Sequence, residues 1–233
     1  MDGIQCLSWP ASLRNITDFQ QNQFDIPVTG PVECVTTTVV TARNIMNELC
    51  AYRTRKPRLP DITVLQYIEE LERIGWRSIL FRVPTTFPDF YIPFGSKKIN
   101  PGGFMHPRFQ ALRNLKRLAI ELRNHYGKSY SVSQFAGKRI EDIEFHLDQG
   151  DLVLVSGMFP PIGLEQGFLG GAPHTLGPVT MISRRDGQIV MLDTGEVPTK
   201  TFSFSDFSGF WGRKSRLDLY TKPNTITVVA MDK

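Results

Sequence analysis

Apolar residues recur at near-helical spacing in three stretches of the chain. Between 61 and 74, Val64, Leu65, Ile68, Leu71 and Ile74 share one side of a helix, with Asp61 in the N-cap position and Gly75 after the last apolar residue. Between 109 and 125, Phe109, Leu112, Leu115, Leu118, Ala119 and Leu122 form a second such face among Arg and Lys residues, closed by Gly127. At about 139–149, Ile140, Ile143, Glu144 and Leu147 predict a third helix ended by Gly150. The period then changes. Asp151-Leu-Val-Leu-Val-Ser156 is an apolar run of strand length, and 178–183 and 188–193 read as a hairpin whose Asp186-Gly187 turn supplies the positive φ such turns require. A short helix or turn at 205–211 and a final strand at 225–230 complete the pattern. The chain therefore predicts an α+β protein, helices first and antiparallel strands after.

One segment resists this reading. Val35-Thr-Thr-Thr-Val-Val-Thr41 is β-branched throughout and favours a strand by propensity, yet it runs into good helix formers at 44–49. We read 35–49 as a helix, because disagreement between local preference and fold is expected at functional sites. Residues 1–33 read as an irregular wrapping segment, and 83–107, dense in Pro, Gly and Phe, as a long surface loop.

Composition narrows the class. With 233 residues, 41% of them hydrophobic, the chain can bury a core as one domain or two joined lobes, and 21% charge without long runs argues against disorder. The net charge is +4. Its densest basic cluster, Arg53 to Arg58, lacks aromatic interleaving or a nucleic-acid motif and reads as a solvated connection, so no nucleic-acid partner is expected. Cys6, Cys34 and Cys50 form no C-x-x-C pair, which removes zinc and dithiol redox sites and fits free thiols in a reducing compartment. No stretch has the length of a membrane span and the N-terminus lacks a signal pattern, so a soluble, cytoplasmic protein is expected, with no cofactor and no metal.

The candidate chemistry centres on Cys34. The Pro27, Gly30 and Pro31 turn delivers it to the start of helix 35–49, where unpaired N–H groups and the helix dipole favour a thiolate. His174 stands where the loop 157–173 meets the hairpin, and Asp193 ends the second hairpin strand. Because the strands are antiparallel, the hairpin is expected to bring His174 and Asp193 together, so that the carboxylate orients an imidazole able to take the thiol proton. His106, His125 and His146 read as surface or structural residues.

This ordered set resembles papain-like cysteine peptidases of the type that process bacteriocin leader peptides after a double glycine, and their stand-alone bacterial relatives. The similarity lies in Gln23-Phe-Asp25 with Cys34, in 147–156, and in His174 with Asp193. It implies a single papain-like domain, 1–233, with a helical lobe at about 34–149 carrying the cysteine and an antiparallel sheet lobe at about 150–233 carrying His174 and Asp193. It also implies that Gln23 supplies the oxyanion hole and that the substrate is a peptide or protein. Val35 after Cys34, and the residues Thr175-Leu-Gly177 before the hairpin, depart from the family's usual pattern. An acyl or amide transferase, or an inactive binding module on the same fold, therefore stays open.

Overall fold

The computed structural model describes residues 3–5, 16–19, 34–73, 92–94, 97–99, 107–128, 130–159, 172–193, 199–213 and 223–231. Strand β1 (Gly3–Gln5) and a single 3-10 turn at 16–19 precede helix α1 (Cys34–Thr54) and helix α2 (Val64–Arg73). Strands β2 (Ile92–Phe94) and β3 (Lys97–Ile99) pair with each other, so the stretch expected as a plain loop contains a small hairpin. There follow α3 (Pro107–Tyr126), β4 (Tyr130–Phe135), α4 (Ile140–Asp148), β5 (Leu152–Phe159), β6 (Ala172–Leu176), β7 (Val179–Ser183), β8 (Gln188–Leu192), β9 (Thr199–Ser203), α5 (Phe204–Trp211) and β10 (Thr225–Met231). The α+β class stands.

Two four-stranded antiparallel sheets, ordered β4-β10-β5-β6 and β1-β7-β8-β9, carry the architecture. Alternation along β5 shows how they are layered. Leu152 and Leu154 join the core beneath α1, α2 and α3, whereas Val153 and Val155 join a second core with β7, β8, α4 and α5. Strand β5 is thus buried on both faces.

Helix α1 is the centre of the first core. From Val35 to Asn47 every residue is buried, so this stretch has no solvent-exposed stripe for a periodicity argument to find. This also explains how a β-branched run stays helical. Each Val or Thr costs roughly 0.5 kcal/mol of helix propensity relative to alanine, while full burial of a Val or Ile side chain such as Val39, Val40 or Ile45 contributes about 1.5–3 kcal/mol. Packing outweighs propensity.

The polar side chains of the same helix hold the connection 55–63 in place. Asn44 Nδ2 donates to Ile62 O at 2.9 Å, Asn47 Nδ2 to Leu59 O at 2.7 Å, and Arg43 to Pro60 O at 2.8 Å. Arg43 also pairs with Glu121 of α3 at 2.8 Å. Tyr126 closes the set, donating to Asn47 Oδ1 at 2.6 Å and accepting from Leu59 N at 3.0 Å. The basic cluster is partly absorbed here, since Arg58 pairs with Glu48 and Asp61 and Lys56 donates to His125 O.

Several expectations shift by a turn or a residue. Asp61 is not the cap of α2; Thr63 and Gln66 satisfy each other's backbone N–H groups at 3.2 and 2.8 Å, and Asp61 is engaged by Arg58. Leu65, expected inside, is 49% exposed, and Tyr67 takes the buried place. The boundary between helical and sheet parts also moves. β4 pairs with β10 and α4 packs Ile143 and Leu147 into the second core, so sheet-associated structure begins near 130 rather than at about 150. In Tyr130-Ser-Val-Ser-Gln-Phe135 only Val132 is buried, too sparse a signal for a strand in the sequence.

Candidate functional site

Cys34 is the first residue of α1, a position where backbone N–H groups lack intrahelical partners and the first turn holds no acidic residue. The wall beside α1 includes β6, the strand that carries His174. His174 is therefore placed differently from the expectation. It does not sit in a loop entering the hairpin but within β6, opposite Gly157 of β5, at the edge of the sheet that faces the helices.

The chain passes from β6 in one sheet to β7 in the other through Gly177 and Pro178, whose peptide bond is cis. Gly177 has φ +125°, and a Cβ there would lie 3.1 Å from Leu154 Cα and from Val153 O, so this crossing needs glycine both for conformation and for space. The crossing is tied to β8 by two hydrogen bonds. Gly177 N donates to Leu192 O and Leu192 N to Pro178 O, each at 3.0 Å. Asp193 follows Leu192 directly, and His174 precedes Gly177 by three residues. Both residues therefore lie within three positions of this junction along the chain.

Asp193 is 2% exposed and lies 3.2 Å, through Oδ2, from the ammonium of Lys200 on β9. A buried carboxylate requires such a counter-charge or hydrogen bonds to remain ionised. Lys200 was not legible as a site residue. It stands opposite Met191 in the β8–β9 register, and nothing in Thr199-Lys-Thr-Phe202 announces that partner.

Gln23 and His106 lie outside the described residues, as does Cys6. Cys50 is far from a nucleophile's setting. It is buried in the middle of the core against the Tyr130 hydroxyl, and burial pushes its thiol up to about 11. His125 and His146 behave as structural residues, as expected. His125 Nε2 contacts Pro57 O at 3.1 Å, and His146 Nδ1 pairs with Asp151 Oδ2 at 2.8 Å while its ring stacks on Phe135, stapling α4 to the start of β5.

Among the described residues, no group of three or more His, Cys, Asp or Glu side chains is placed to hold a metal ion. Nor is any described helix long and apolar enough to cross a membrane. Comparison with protein-family models, with curated proteins and with solved structures finds no match.

Proposed function

We propose that the chain is a papain-like thiol hydrolase acting on a peptide or amide bond, with Cys34 as nucleophile, His174 as base, Asp193 as the group that orients it and Gln23 as oxyanion donor. The observation that supports this reading is one juxtaposition. A cysteine heads the central buried helix, the strand bearing His174 packs against that helix, and the buried carboxylate of Asp193 follows the hydrogen bonds that anchor the exit from that strand.

The chemistry follows from those positions. The helix terminus favours the thiolate, and His174 takes the thiol proton as sulfur attacks the carbonyl carbon. The oxyanion is met by backbone N–H and the Gln23 amide, and collapse expels the amine with the proton from His174. Water, activated by the same imidazole, then cleaves the thioester. With an amine in place of water the product is a transferred amide, so product analysis with and without added amines separates hydrolase from transferase.

A second reading has its own support. The Asp193–Lys200 ion pair suits a structural carboxylate equally well, which favours an inactive binding module on the same scaffold. The deciding experiment is the alkylation rate of Cys34 against pH, read by peptide mass spectrometry beside Cys6 and Cys50, in the parent and in His174→Ala. Fast reaction of Cys34 below the ordinary thiol range, lost in the variant, supports the hydrolase. Slow, equal alkylation in both overturns it in favour of the binding module.

A further inference from the structure

A groove of about 240 Å³ opens between α3 and β4, away from the Cys34 end of α1. Its α3 wall is Lys116, Ala119, Ile120 and Arg123, which share one helix face by their spacing. Its floor is Tyr130 and Val132, which share one face of β4. Ile120 is 54% exposed, an apolar surface held open to solvent beside two cationic side chains, and among the described residues no acidic side chain lines the groove. The core-facing residues of α3 include Leu115, Leu118, Leu122 and Tyr126, so this face is not needed for the interior beyond Ala119.

The strand beside it adds backbone to the surface. β4 is an outer strand of its sheet and, among the described residues, pairs only with β10. It contains no charge and no proline, the usual devices that blunt such an edge.

We propose that this groove docks an extended acidic peptide segment carrying one apolar side chain between two carboxylates. The apolar side chain seats against Ala119, Ile120 and Val132. Carboxylates two residues to either side point the same way in an extended chain and stand roughly 13 Å apart. Lys116 and Arg123, two helical turns apart, are separated by about 10 Å along the axis, within reach of that span through their long side chains. A second copy of this chain is disfavoured as the occupant, because a two-fold contact through this face would bring Lys116 and Arg123 against like charges.

The test uses a fluorescein-labelled nonapeptide, Ser-Gly-Glu-Ser-Leu-Ser-Glu-Gly-Ser, and its counterpart with lysine in place of glutamate, read by anisotropy with the full chain. The glutamate peptide should bind the parent, and Lys116→Glu with Arg123→Glu should weaken it at least tenfold while allowing the lysine peptide to bind. Ile120→Ser should weaken both pairings, and circular dichroism should show the fold intact, since the substituted positions are exposed. Three results would overturn the proposal: equal binding of the glutamate peptide to parent and charge-reversed variant, no binding up to about 1 mM peptide, or a parent dimer that the charge reversal dissolves.

Discussion

Replacing Asn47 by alanine removes the side chain that joins three elements of the helical core. In the folded protein its Nδ2 satisfies Leu59 O at 2.7 Å and its Oδ1 accepts from the Tyr126 hydroxyl at 2.6 Å. Alanine leaves both groups without that partner in a place where Asn47 is fully buried. Each lost partner costs about 1–3 kcal/mol, so a total of about 2–6 kcal/mol is expected. Tyr126→Phe removes the other end of the same link and also the acceptor for Leu59 N, at an expected cost of about 1–2 kcal/mol. The double variant should then be less destabilised than the two singles together, with a coupling of about 0.5–3 kcal/mol. Urea unfolding with linear extrapolation measures all four proteins. Strict additivity would falsify the linked network. Cys34 lies thirteen residues earlier on α1, about 20 Å along the axis, so its alkylation rate should be unchanged in the folded fraction.

Gly177→Ala places a side chain at φ +125° against Leu154 and Val153, and should cost about 2 kcal/mol or more; an unchanged melting temperature would refute the tight crossing. Lys200→Met removes the ammonium beside buried Asp193 and should destabilise by about 2 kcal/mol, largely recovered in Lys200→Arg, with equal stability of Met and parent counting against the pair. Burial raises the folded-state pKa of Cys50 to about 11, above its ordinary value of 9.0. The stability this represents is complete below the ordinary value and is lost as pH rises from about 9 towards 11. Cys50→Ala should flatten that slope in urea titrations at a series of pH values, and a slope identical to the parent would assign it to other groups.

The residues themselves determined most of the secondary structure. α3, α4, β5, the β7–β8 hairpin, α5 and β10 follow from apolar spacing and from glycine and Asp-Gly punctuation, signals that act within a few residues of the chain. Gly127 and Gly150 end their helices at positive φ as the pattern implies. Strands β1 and β4 carry no such local signal, because they are short or sparsely buried and pair with strands distant in sequence, β7 and β10. The helix formers at 44–49 pointed to α1, but tertiary structure decided its start. Its β-branched start is helical because burial on every side outweighs a propensity difference of a few tenths of a kcal/mol per residue. In the candidate site, Cys34 and Asp193 were legible by position, one at a helix start and one at a strand end. The placement of His174 inside β6 and the pairing of Asp193 with Lys200 were not, since each depends on strand register, β6 against β5 in one case and β9 against β8 in the other, and register is not written in any local pattern.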